Sequence, residues 1–325
     1  MAAGDAVMIT GGTGLIGSNV CKLLTAQGRR VRALVRPGSE TEPLAALGVE
    51  LVFGDITSRR DVARAAEGAA AVINSAALLG GAVQDLEASR ATNHVGSLHC
   101  YDVAAAAGAR VVEIATTTFL KHETPLTEHP EVVDNVPDDP YSISKAAAFR
   151  DGMRRAAEGQ DLLFVIPGGA FGPSPCPQRA MGSTSFNRLV AAGIRGRVAD
   201  YVSYPVPWVR AEDVASVVVA SVDKGLAGEA YLAFGHEDAM TTAAFLNVAC
   251  DSAEVGHRVA EVTIDPGDPS AAERYGDTLV ELARRTFPVP WFDNSYTRER
   301  LGYRPVPLRD AMDETVGWLR AIGRI

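Results

Sequence analysis

The sequence predicts an α/β fold, a doubly wound parallel sheet with a smaller C-terminal α+β lobe. Short apolar runs alternate with Ala-rich helical stretches over the first half, the pattern of βαβ units. A glycine-rich turn separates the first strand from the first helix. Past Pro167 that rhythm breaks into glycine, proline and aromatic residues.

Taken in order, Ala6–Thr10 reads as a strand and 15–27 as a helix stopped by Gly28. Arg30–Val35 is a second strand, 43–47 a short helix, and Glu50–Phe53 a third strand ending in Gly54-Asp55. A helix over 59–67 and a strand over 71–74 follow, then a long helix over 85–107 stopped by Gly108. The fifth strand is 110–115 and the sixth 162–166, with a helix opening at Asp139-Pro140 between them. The stretch 121–140 reads as the longest loop of this half. Residues 168–177 read as loop, 208–222 return to an αβ rhythm, and 308–322 form an amphipathic C-terminal helix.

The composition, 47% apolar and 22% charged over 325 residues, suits a globular protein with a large core. A net charge of −9 with scattered arginines argues against nucleic acid or an anionic membrane as partner. No apolar stretch approaches a membrane span. Cys21, Cys100, Cys176 and Cys250 form neither a CxxC pair nor a zinc pattern, which fits a reducing compartment, the cytoplasm. The N-terminal residues run straight into a strand, leaving no room for a signal peptide.

Gly11-Gly12-Thr13-Gly14-Leu15-Ile16-Gly17 follows the first strand directly and opens the first helix. Glycines at 11, 14 and 17 permit a tight turn and close approach of backbone to a pyrophosphate, which rests on the helix N-terminus. Gly11, Thr13, Gly14, Leu15, Ile16 and Gly17 are therefore candidate dinucleotide contacts. The expected organisation is a Rossmann domain over 1–166, with 208–234 returning to it, and a substrate lobe over 167–325. At the end of strand two, a carboxylate would read the 2′-hydroxyl of NAD. The chain has Arg36 there instead, and a guanidinium pairs with a 2′-phosphate. This favours NADP(H) over NAD(H). Asp55, after strand three, is placed either to accept from the adenine amino group or to cap the turn into the next helix.

Tyr141 and Lys145 carry the chemistry. The chain has only four lysines against eight tyrosines, so the Tyr-x-x-x-Lys spacing is rarely met by chance. Asp139 as cap and Pro140 at the first helical position put Tyr141 in the first turn and Lys145 on the same face, one turn on. A nearby cation favours phenolate, which makes Tyr141 a candidate proton donor or acceptor.

The glycine frame, Asp55, Asn74-Ser-Ala-Ala77, Asn93-His-Val-Gly96, a hydroxyl run after strand five and Tyr141-x-x-x-Lys145 occur in that order. Phe171-Gly-Pro173, Trp208-Val-Arg-Ala-Glu-Asp213 and Leu301-Gly-Tyr-Arg-Pro305 follow. Over nearly its whole length the chain resembles the extended short-chain dehydrogenase/reductase superfamily. The resemblance implies that Thr116, 25 residues before Tyr141, polarises a carbonyl oxygen, with Thr117 as fallback. It implies that Lys145 also bonds the nicotinamide ribose, that Asn93 is structural, and that Ile56, Ala76 and Pro167 line the cofactor. It also implies a homodimer packed through the long helices.

Among the branches of that superfamily, dehydratases carry an acidic pair after the catalytic threonine, where this chain has Thr117-Thr118. Sugar-nucleotide enzymes place cations or amides where this chain has Ile166, Gly169 and Val206. Arg179, Arg188, Arg195 and Arg197 could compensate. Leu34-Val-Arg-Pro-Gly-Ser39 and Pro167-Gly-Gly-Ala-Phe-Gly-Pro173 look most like the dihydroflavonol-reductase-like and 3β-hydroxysteroid dehydrogenase branch. Met181, Phe186, Tyr201, Tyr204 and Trp208 are candidates for an aromatic pocket wall, although any one of them could be core. The function expected is NADP(H)-dependent interconversion of a mid-sized apolar ketone or aldehyde and its alcohol. The alternatives are a nucleotide-sugar epimerase with tightly held NAD(P), and a non-catalytic NADP-binding regulatory protein.

Overall fold

The computed structural model describes residues 6–79, 85–121, 129–235, 239–265, 267–276, 280, 283 and 293–325. A seven-stranded sheet runs in the order β11-β6-β5-β4-β1-β2-β3, every neighbouring pair parallel. Its strands are β1 Ala6–Thr10, β2 Arg30–Val35, β3 Glu50–Phe53, β4 Ala69–Asn74, β5 Arg110–Ile114, β6 Leu162–Pro167 and β11 Ala230–Ala233. Alternate residues of each strand feed two separate cores, because strand side chains alternate faces. Val7, Ile9, Val112 and Leu163 pack against Val20 and Leu24 of α1 (Leu15–Ala26) and Val214 and Val218 of α9 (Ala211–Lys224). Met8, Val72, Val111 and Phe164 face the other way. They meet Val62 of α3 (Arg59–Ala65), Tyr101 of α5 (Gly96–Ala107) and Phe149 of α6 (Pro140–Ala157). Helices on both faces make the sheet doubly wound.

The long helix after β4 is interrupted. Between α4 (Leu86–Ser89) and α5 lies a π-helical turn, Arg90–Val95. Such turns insert an extra residue and concentrate at functional sites. Asn93 lies within this one, fully buried, where it accepts from Leu78 N at 2.7 Å and donates to Leu78 O at 3.0 Å.

Beyond β6 the chain builds small two-stranded pairs: β7 (Gly169–Phe171) with β10 (Trp208–Arg210), β8 (Asp200–Val202) with β13 (Ala260–Val262), and β9 (Pro205–Val206) with β12 (Met240–Thr241). The stretch read as loop over 168–177 therefore contains a strand. Its three residues pair with a segment some forty positions on (Gly169 with Trp208), which no local pattern reveals. A third core gathers Phe171, Val190, Ile194, Trp208, Phe245 and Leu246 with Met312, Val316 and Leu319 of the C-terminal helix Leu308–Ala321. The late motifs brace this region. Asp213 accepts from Val306 N at 2.9 Å, and the Tyr303 hydroxyl donates to Phe234 O at 2.6 Å. Among the described residues no helix is long and apolar enough to cross a membrane.

Candidate active site

The glycine turn is closed by Gly14 N donating to Gly11 O at 2.9 Å. Gly11 has φ +66°, and a Cβ there would lie 2.6 Å from the Ser75 carbonyl, so only glycine fits. A Cβ at Gly17 would overlap the Gly11 carbonyl oxygen. The backbone thus packs tightly where α1 begins. Gly14 caps α1 without a side chain, and no acidic residue occupies its first turn. The N–H groups of Leu15, Ile16 and Gly17 are left for an anion, the arrangement a pyrophosphate needs. Thr13 lies partly buried beside them.

Around this turn, Ala76 N donates to Thr10 Oγ1 at 3.2 Å, which sets the loop after β4 against the glycine turn. Ile56 is buried, and its carbonyl oxygen lies 2.9 Å from His99 Nδ1. Pro167 ends β6 half-buried. Asp55 makes the capping contacts, with Oδ1 accepting from Thr57 N at 2.9 Å and Thr57 Oγ1 at 2.8 Å. The cap of α3 itself is Ser58. Arg36 is exposed just after β2. It shares a hollow of about 260 Å³ with Ser39, Glu40, Gln178 and Arg179.

Asp139 caps α6, accepting from Ser142 N at 2.9 Å, with Pro140 at the first helical position. Tyr141 is partly buried in the first turn. The Ser142 hydroxyl donates to Thr118 Oγ1 at 3.1 Å, which ties that turn to the threonine run after β5. Thr116 is buried at 9% exposure and Thr117 is more open. The helix is fixed a second time by Asn93, whose Nδ2 lies 3.0 Å from Ser144 Oγ.

Lys145 is 3% exposed and does not reach into solvent. Its Nζ donates to Ile114 O at 2.6 Å and to Glu113 Oε1 at 2.8 Å. Glu113, one residue from the end of β5, is 1% exposed and also accepts from Asn74 Nδ2 at 2.6 Å, with Ser97 Oγ 3.2 Å away. Asn74 in turn accepts from the Thr10 hydroxyl. A polar chain therefore runs under the sheet from the glycine turn to Lys145. Burial, with the Glu113 carboxylate next, pushes the Tyr101 phenol well above its ordinary range, so Tyr101 stays neutral beside this chain. Sequence reasoning missed Glu113 and Ser97. The signal was a lone carboxylate inside an apolar strand, Arg-Val-Val-Glu-Ile, which can be buried only with donors around it.

A profile of the NAD dependent epimerase/dehydratase family matches residues 7–233. The chain belongs to that family. It is 28% identical over 343 aligned residues to sterol demethylase protein B of Methylococcus capsulatus, covering 98% of this chain and 99% of the relative. It is 27% identical over 330 residues to ceramide reductase of Caulobacter vibrioides, covering 98% and 95%. Its fold matches that of a nucleoside-diphosphate-sugar epimerase of Pseudomonas aeruginosa with a TM-score of 0.79 at 20% identity, over 98% and 99% of the two chains.

In this epimerase/dehydratase-family enzyme the aromatic residues expected to wall a pocket are largely spent on packing. Trp208 stacks on Phe245 with centroids 3.8 Å apart and meets Phe186 edge-on at 4.9 Å. Its indole N–H donates to Met240 O at 3.0 Å. Met181, Phe186 and Tyr201 pack on the same core, and Tyr204 packs on a smaller cluster around Val202 and Ile264. Trp208, 4% exposed, belongs to the core and not to a pocket wall. The reason is that β10 turns inward to pair with β7. Arg179, Arg188, Arg195 and Arg197 are all exposed.

Proposed function

We propose that the protein is an NADP(H)-dependent oxidoreductase that interconverts a mid-sized, fairly apolar ketone or aldehyde and its alcohol. The observation that carries this reading is the anchoring of Lys145 at Ile114 O. It sets the lysine under the strand end that leads to Thr116 and one turn from Tyr141. In reduction, Tyr141 gives its phenolic proton to the substrate oxygen, and in oxidation it takes that proton back. Thr116 donates a hydrogen bond to the same oxygen and stabilises charge developing there. Two of the three Lys145 N–H donors are engaged within the protein, which leaves one for a ribose hydroxyl. When bound, the nicotinamide supplies or accepts the hydride.

The glycine cradle and the α1 N-terminus, which no side chain caps, support a dinucleotide, and the Arg36 hollow supports the phosphorylated one. There Glu40 is already engaged by Gln178 N at 3.1 Å, while Arg36 and Arg179 offer two guanidinium groups to a 2′-phosphate. An apolar substrate is supported by the buried Ile166 and by Gly169, which is packed against Trp208 and Val206 where a diphosphate would need donors. Two relatives named for sterol and ceramide chemistry support it as well.

The test is a fluorescence titration with NADPH and NADH, followed by a carbonyl panel read at the nicotinamide absorbance. NADPH should bind more tightly. Arg36→Ala should weaken it about tenfold or more, the loss of one charge-assisted hydrogen bond, and leave NADH unchanged. Tighter NADH binding would overturn the cofactor assignment. Interconversion of a nucleotide sugar without net consumption of NADPH would replace the reaction with epimerisation.

A further inference from the structure

We infer that Glu113 is a positioning residue for Lys145, a buried carboxylate that fixes the ammonium where the cofactor ribose and Tyr141 require it. The inference rests on the proposed oxidoreductase reading. Glu113 lies one residue from the end of β5, an interior strand, three residues before Thr116, and at 1% exposure it is closed to a substrate. Both of its oxygens are nevertheless engaged. Oε1 takes Lys145 Nζ at 2.8 Å, and Oε2 takes Asn74 Nδ2 at 2.6 Å. A protonated carboxyl or an amide would set a donor against a donor in this ring, so the site is built for a carboxylate. An ammonium buried at 3% exposure needs such a counter-charge.

The network also gives Glu113 reach. Asn74 donates to both Glu113 and Ser97, and accepts from Thr10, whose hydroxyl oxygen receives Ala76 N. Ser97 Oγ lies 2.9 Å from Asn93 O, in the π-turn whose Asn93 side chain holds Leu78. One carboxylate thus ties Lys145 to the glycine turn, to the loop after β4 and to the helix that carries Asn93. Cys100 and Tyr101 of α5 are the other titratable neighbours; burial followed by Glu113 pushes both upward, so they stay uncharged and cannot replace the anion.

The experiment is a cycle of Glu113→Gln, Lys145→Met and the double variant, each titrated with NADPH, with folding followed by melting temperature. Glu113→Gln and Lys145→Met should each weaken NADPH about tenfold, and the double variant should bind no worse than either single one. With any carbonyl from the panel that is turned over, Glu113→Gln should lower kcat and leave the carbonyl KM unchanged. Glu113→Asp keeps the charge one methylene shorter and should recover part of both losses. It takes the place of Gln if that variant fails to fold. The inference is overturned if Glu113→Gln, or Glu113→Asp in its place, stays within about twofold of wild type in affinity. It is also overturned if the Glu113 loss is undiminished in the Lys145→Met background. If Tyr141→Phe were to retain full turnover, the oxidoreductase reading itself would fail. Loss in Tyr141→Phe without loss in Glu113→Gln would defeat only the role of Glu113.

Discussion

Two of the cores of this molecule treat polar groups in opposite ways. Beneath the sheet, Thr10, Asn74, Ser97, Glu113 and Lys145 sit inside an apolar surround, and their hydrogen bonds converge on one carboxylate, which holds the ammonium. In the C-terminal region, Trp208, Phe186, Phe171 and Phe245 interlock, and the polar atoms serve as splints, such as Asn187 bridging Gly172 N and O at 2.7 and 2.8 Å. The first core spends burial on placing a charge, and the second spends it on shape. A hydrogen-bonded network in a low-dielectric site holds atoms to a narrow geometry, whereas aromatic packing holds a surface but fixes no proton.

Three measurements would break or sharpen that contrast. The largest effect should come from Tyr141→Phe, which removes the proton carrier. Turnover should fall about 10²- to 10⁴-fold while NADPH affinity holds. Near wild-type turnover with normal NADPH binding would refute the mechanism. Trp208→Ala should act on stability, costing about 3–5 kcal/mol by opening the stacked core. Thermal melting should register that loss, and below the transition NADPH affinity should match wild type. A protein that kept its melting temperature would show that this core carries little of the fold. The third effect should be alkaline. Burial is the first cause that pushes Cys21, Cys176 and Tyr231 each up to about 12. The folded state then keeps protons that the unfolded chain releases from about pH 9, so stability should fall between pH 9 and 12. Melting temperatures across that range check the sign, and a flat profile would contradict it.

Much of the sheet was legible in the sequence. β1, β2 and β3 lie where short apolar runs bounded by glycine and polar residues place them, Ala6–Thr10, Arg30–Val35 and Glu50–Phe53. The cap of α6 at Asp139-Pro140 and the C-terminal helix from Leu308 were equally legible, since caps and amphipathic periods are local. The π-turn at Asn93, the strand at Gly169–Phe171 and the burial of Trp208 were not. Each depends on a partner far along the chain: Leu78, Trp208 and Phe245 respectively.

The sequence by itself determined the family, the glycine cradle and the Tyr141–Lys145 spacing, because a tight turn and a helix face are set by neighbours a few residues apart. Only the tertiary structure decided what stands behind Lys145. Glu113 lies 32 positions away and Asn74 a further 39, and parallel pairing of β4 with β5 sets their side chains within hydrogen-bonding distance. A charge can be buried there because the sheet has already gathered its partners.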